Sequence, residues 1–314
     1  MDGYLPMATS PGAVSTPLSR QQTIANAICC SGIGLHTGRK VNVGLHPAAE
    51  GTGIVFRRTD LDVTIDIPAA FDRVVDTRLC TVLAAPGRPD VSVGTVEHLM
   101  AALSAAGIGN IVIEVDAPEL PVLDGSAEPW LFLLDCAGAA TLDATRVEIE
   151  ILRPVRVEDG EAFAELRPGS AGCLELSVAI DFDAPAIGRQ SLSLSLCGDA
   201  FREVARARTF TQAHEIAGLR AAGLAQGGTL DNAIVVDGDS VLNPAGLRMR
   251  DEFVRHKLLD AVGDLALAGV LRGRFIGYRS GHALNNRVLH ALFADAANWR
   301  AVRTDGLDWL SQAA

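Results

Sequence analysis

The chain has 314 residues, 48% of them hydrophobic, which is long for one core and enough for two modest domains. Its 27 Lys and Arg against 38 Asp and Glu give a net charge of -11, which argues against a nucleic-acid binder that relies on a broad basic surface. The apolar content is not that of a disordered chain, and no window reaches the roughly 18 consecutive apolar residues of a spanning helix, so no transmembrane segment is expected. The six cysteines (Cys29, Cys30, Cys80, Cys136, Cys173, Cys197) form no C-x-x-C pair and follow no secretory signal. A disulfide framework is therefore not expected, and a reducing cytoplasm fits.

Residues 1–19, with Pro6, Pro11 and Pro17 among small polar residues, read as a disordered extension. Strands are expected at Val41–His46, Gly53–Phe56 and, by clearer alternation, Ile111–Val115. Thr95 is placed to cap a helix that runs to about Ala106 and ends at Gly107 and Gly109; a second helix covers Glu128–Ala137, with Pro129 near its start. Near Thr145 the pattern restarts, with strands at Val147–Ile151, Ala162–Leu166 and Leu174–Ile180 and helices around Ala213–Ala222 and Glu252–Ala268. Element order, not sequence identity, suggests a duplication. A first α+β domain then spans 20–145 and a second 146–300, leaving a tail at 301–314 too short to be a domain.

The segment Asp251–Gly269 carries an apolar stripe of Val254, Leu258, Val262 and Leu265 at helical spacing, with His256, Asp260 and Asp264 on another face. Side chains four apart on a helix lie one above the other, so His256 and Asp260 can offer an imidazole and a carboxylate to one ion. The same spacing describes a solvated His–Asp pair, and this segment alone leaves both readings open. Lys257 is equally open, as a phosphate holder or a surface lysine. In GTVEHLMAAL, Glu97 and His98 fall in the first turn of the helix after Thr95. The order is the reverse of H-E-x-x-H and Ala102 stands where a second histidine would be, so any metal needs ligands from elsewhere. Glu97 as a favourable charge at a helix N-terminus and His98 as a half-buried residue is the alternative.

Taken together, His98, His256 and Asp260 supply three N/O ligands and leave a fourth position open, the composition of catalytic zinc sites. Glu97 can then act as a general base in metal-assisted hydrolysis. His282, following Gly281 at a turn into a helix, is a candidate general acid. Its imidazolium needs a carboxylate partner, for which Asp264 is the natural candidate; a capping or packing histidine is the other reading. Iron could replace zinc at a His₂Asp site.

The motifs SGIGLHTG (Ser31–Gly38), TVEHL (Thr95–Leu99), PVLDGSA (Pro121–Ala127), RARTF (Arg206–Phe210), LDNAIVVD (Leu230–Asp237), RHKLLDAVGDL (Arg255–Leu265) and SGHALNN (Ser280–Asn286) lie within about Gln21–Ala294. Together they resemble the UDP-3-O-acyl-N-acetylglucosamine deacetylases of lipid A biosynthesis. That resemblance implies one Zn²⁺ on His98, His256 and Asp260, Glu97 as base, and His282 as acid supported by Asp264. It further implies that Thr209 hydrogen-bonds the tetrahedral oxyanion and that Phe210, Lys257 and Arg279 contact the sugar nucleotide. The implied fold is two α+β domains, each a sheet layer with a helix pair, the helices packed between the two sheets.

An insert at about Thr211–Leu230 would form an apolar passage for the acyl chain, lined by Ile216, Leu219, Leu224 and Leu230, which are otherwise read as plain core. Gln212 and Ala213 stand where larger apolar residues are expected, which leaves chain-length preference open. Cys80 would lie in a loop near the metal, as an extra ligand when zinc is in excess. A cytoplasmic monomer acting on an acylated UDP-amino sugar is expected. The rivals are a deacetylase of another N-acyl sugar and a non-catalytic nucleotide-sugar or lipid-binding homologue; the latter should have lost a ligand, the base or the acid.

Overall fold

The computed structural model describes residues 20–169 and 172–303. The expected extension at 1–19 and the tail from 304 onward lie outside the described residues.

Six helices are described: α1 (Glu97–Ala106), α2 (Glu128–Ala137), α3 (Arg202–Ala205), α4 (Ala213–Ala221), α5 (Glu252–Ala266) and α6 (His282–Phe293). A five-stranded sheet orders Ile28–Ile33, Lys40–Pro47, Ile111–Val115, Ile54–Arg58 and Ile65–Pro68. Its middle strand buries Ile111, Ile113 and Val115, every second residue, as the alternation predicts. A seven-stranded sheet forms around the nine-residue strand Val270–Tyr278, which pairs with Val147–Ile151, Ala162–Arg167 and Leu174–Asp181. The fold is α+β, as expected.

The chain follows the same order twice: α1, the strand Ile111–Val115, then α2; and α5, the strand Val270–Tyr278, then α6. The helices meet each other as well as the sheets. α1 packs on α5 and α2, α5 also on Leu174–Asp181, and α6 on Val155–Asp159 and Ala162–Arg167. One continuous apolar cluster joins Leu99 and Leu103 of α1 to Phe253 and Val262 of α5 and to Val43, Phe56 and Phe275 of the sheets.

The α1–α5 crossing depends on Gly263, where an added methyl group would overlap the Glu97 carbonyl oxygen. What obstructs it is helix backbone, which cannot swing aside like a side-chain tip. Gly263→Ala should therefore cost at least the roughly 1–3 kcal/mol usual for overpacking. Thermal unfolding would measure the loss, and a variant as stable as the wild type would mean that the two helices are not held this close.

Several expectations need correction. Thr95 is not a helix cap: it has a positive φ of 57°, and its hydroxyl donates to Glu119 Oε1 at 3.1 Å, while the residue before α1 is Val96 with no side-chain cap. Gly107 does end α1 in the left-handed conformation, at φ 71°. The tail expected from 301 begins inside a strand, Trp299–Arg303, which pairs antiparallel with Val147–Ile151. That strand shows no clean alternation of buried and exposed residues, so it carries no period-two signal. Finally, Cys173 and Cys197 form a disulfide where none was expected. The hairpin register pairs Glu175 with Ser195, which makes residues 173 and 197, two positions further on, the next opposing pair on that face, a placement their sequence spacing does not reveal.

Candidate active site

The α1–α5 crossing brings His98 of α1 against His256 and Asp260 of α5, and all three are buried. One ligand atom from each lies within 4.8 Å of the others, so the three can hold a metal ion. His256 Nε2 and His98 Nε2 stand 3.3 and 3.6 Å from the same Asp260 oxygen, Oδ1. The other ring nitrogen of His256, Nδ1, donates to the Ala207 carbonyl at 3.1 Å, which leaves Nε2 as a bare lone pair. Burial, against the field of Asp260, pushes His256 down to about 4, so its ring is neutral. A lone pair facing an ionised carboxylate is repulsive unless a cation sits between them. The second Asp260 oxygen, Oδ2, accepts from Lys257 Nζ at 2.8 Å. Burial would raise the Asp260 carboxyl, but it is held well below the usual range, with the Lys257 ammonium among the groups that outweigh burial.

Around this trio lie the proton-handling groups. Glu97 is buried in the first turn of α1, with Oε2 accepting from the Thr81 backbone N–H at 3.0 Å. Burial raises its carboxyl above the ordinary value, opposed by His282 and His98. His282, the first residue of α6, donates from Nδ1 to Asp264 Oδ2 at 2.9 Å. Burial alone would lower this imidazolium; the Asp264 carboxylate, by charge and hydrogen bond, outweighs it and lifts His282 to about 9, with smaller help from Glu97 and Asp260. Asp264 also accepts from Thr81 Oγ1 at 2.6 Å and Asn285 Nδ2 at 2.8 Å.

The other sequence-derived candidates are placed less uniformly. Lys257 is tied to Asp260, whose charge and hydrogen bond, against burial, raise the ammonium. Phe210 is half-buried, edge-on to Phe253 (5.0 Å), Phe182 (5.5 Å) and His256 (6.2 Å). Thr209 is half-buried and held through its backbone, with N–H donating to Gly125 O and C=O accepting from Ile234 N–H, both at 2.8 Å. Gly125 must be glycine, since it has a φ of 85° and a side chain there would overlap the Asn232 carbonyl oxygen. Arg279 is exposed and 3.5 Å from Glu161. Ile216 and Leu219 are half-buried on α4, a helix that buries none of its residues completely. Burial, then the charge of Glu97, pushes the Cys80 thiol far above its ordinary range.

Three residues that sequence reasoning passed over belong here. Thr81 bridges Glu97 and Asp264. Glu119 is buried and gathers the backbone N–H groups of His36 (2.7 Å) and Thr37 (2.8 Å) and the Thr95 hydroxyl, so it pins the SGIGLHTG loop to the residues that start α1. His36 is buried with neither ring nitrogen hydrogen-bonded among the described residues. Burial lowers its pKa, with Glu119 opposing and His282 adding. No local pattern marks Thr81 or Glu119, while the histidine of SGIGLHTG was a visible signal.

Comparison with known proteins identifies the family. The family model described as LpxC: UDP-3-O-acyl N-acetylglycosamine deacetylase matches residues 21–294. A curated UDP-3-O-acyl-N-acetylglucosamine deacetylase of Idiomarina loihiensis is 48% identical over 290 residues, covering 91% of this chain and 94% of that protein.

Proposed function

The chain belongs to the UDP-3-O-acyl N-acetylglycosamine deacetylase family and removes the N-acetyl group of UDP-3-O-acyl-N-acetylglucosamine in lipid A biosynthesis; we propose that it does so as a zinc hydrolase through His98, His256 and Asp260. The observation that carries this reading is the convergence of three buried ligand atoms, one each from His98, His256 and Asp260, within 4.8 Å of one another, with His256 Nδ1 on the Ala207 carbonyl and its Nε2 turned to Asp260 Oδ1 at 3.3 Å. Two imidazoles and one carboxylate suit Zn²⁺, and Fe²⁺ is the alternative these ligands accept. When bound, the ion would polarise the amide carbonyl and make water acidic enough to attack near neutral pH.

The chain's own residues then handle the protons and the substrate. The Glu97 carboxylate takes a proton from the attacking water as a C–O bond forms to the acetyl carbon. His282, held by Asp264 through Nδ1, presents Nε2 and gives its proton to the sugar nitrogen as the C–N bond breaks, releasing acetate and a free amine. The Thr209 hydroxyl supports the oxyanion. Lys257 fixes Asp260 and, with Phe210 and Arg279, faces the sugar nucleotide. Ile216 and Leu219, joined by Leu224 and Leu230, line the acyl passage, where a fatty chain gains about 0.8 kcal/mol per buried CH₂.

The division near residue 145 makes the α1–α5 crossing a junction of two domains. All three proposed ligands come from one chain, so a monomer suffices, and a nucleotide-linked substrate places the reaction in the cytoplasm. No described helix is long and apolar enough to cross a membrane.

Acetate release from UDP-3-O-acyl-N-acetylglucosamine, measured after chelation and again after stoichiometric zinc, tests the reading. Activity should vanish with the chelator and return with zinc. A folded, zinc-loaded sample that released no acetate would sink it.

A further inference from the structure

Glu252 is completely buried in the first turn of α5, and none of the roles above uses it. Its Oε1 accepts from the Arg208 backbone N–H at 3.1 Å and from Arg208 Nε at 2.8 Å. Its Oε2 accepts from Arg208 Nη2 at 3.2 Å and from the Arg248 backbone N–H at 2.6 Å. The Arg208 N–H belongs to the same peptide group as the Ala207 carbonyl, and that carbonyl accepts from His256 Nδ1 at 3.1 Å. One planar peptide is thus pinned at both ends by residues one turn apart on α5. Because the peptide is flat, with N–H and C=O pointing opposite ways, fixing one end orients the other.

We propose that Glu252 is a positioning residue for His256, acting through the Ala207–Arg208 peptide; the inference rests on the reading of His256 as a zinc ligand. A carboxylate that accepts the peptide N–H polarises the group and makes its carbonyl a better acceptor. A stronger partner at Nδ1 holds the His256 proton there, aims Nε2 at Asp260 and raises its strength as a donor to a metal. The Arg208 guanidinium keeps the buried carboxylate ionised without water and is itself held by the Gly246 carbonyl at 2.9 Å. Plain adhesion between α5 and the segment Arg206–Phe210 would need only the two side chains. The contact to the backbone N–H is what reaches His256.

The test is a zinc titration of metal-free wild type and Glu252→Gln in competition with a chromophoric chelator. The glutamine can keep its oxygen on the Arg208 N–H, but it loses the negative charge that polarises the peptide, and its NH₂ must then face two donors, Arg208 Nη2 and the Arg248 N–H. Zinc Kd should rise on the order of 10- to 100-fold, and the His256 Nδ1 proton resonance should shift. Leu45→Ala, a cavity in the five-stranded sheet, controls for lost stability alone and should leave zinc Kd unchanged. If Glu252→Gln does not fold, Glu252→Asp keeps the charge opposite Arg208 but withdraws the carboxylate by one CH₂, and carries the same expectation. Unchanged zinc Kd in the folded variant overturns the inference. A wild type that takes up no zinc would instead sink the zinc reading, so the two failures are distinguishable.

Discussion

Glu97→Gln should lower acetate release by on the order of 10² to 10⁴ while the protein binds zinc as the wild type does. The substitution keeps the shape of a side chain that is fully enclosed and whose Oε2 accepts the Thr81 N–H, and a glutamine oxygen can keep that bond. It removes the lone pair that would receive water's proton. None of His98, His256 and Asp260 changes, so zinc stoichiometry separates the loss of a base from the loss of a ligand. Burial raises the Glu97 carboxyl above its ordinary value, which strengthens it as a proton acceptor. A variant with the wild-type rate would mean that the base lies elsewhere, and one that arrives without zinc would mean that Glu97 is a ligand.

How much of this could be read from the chain depends on how far apart the partners lie. The faces of α5 were legible from its stripe of Val254, Leu258, Val262 and Leu265, whereas α1 buries every residue from Glu97 to Leu103 and was legible only as a helix. What the sequence left open was whether His256 and Asp260 look inward. Both are 3% exposed, which removes the solvated-face alternative, and His98 at 4% is more enclosed than a half-buried residue. The spacing of Lys257 suggested a phosphate holder or a surface lysine, yet three residues along the helix it found Asp260. The contacts that complete the site span long loops: Thr81 reaches Asp264 across 183 residues and Glu119 reaches His36 across 83. Such pairings come from topology, and neither LCTV nor APEL carries a local pattern that announces them. The same holds for Cys173 and Cys197, which only the hairpin register brings together.

Asp264→Asn should cost nearly as much as losing the base, and the pH dependence would show why. In the wild type the imidazolium of His282 persists to about 9, because the Asp264 charge and hydrogen bond outweigh burial. The acid form is therefore present through neutral pH and is lost as pH rises through that value, which sets an alkaline limb on kcat. The raised pKa also contributes stability that is complete below the unfolded value of about 6.5 and disappears as pH climbs through about 9. Without the carboxylate charge, burial acts on His282 unopposed by its main partner. The alkaline limb should then move to lower pH by roughly 1–3 units, and kcat at pH 8 should fall by on the order of 10². The asparagine can keep its oxygen on His282 and Asn285 and turn its NH₂ to the Thr81 hydroxyl, which accepts as well as donates, so His282 keeps its alignment and loses the charge. A pH–rate profile of the variant decides the matter. A limb that stays in place would mean that His282 is not the group whose proton the leaving amine receives.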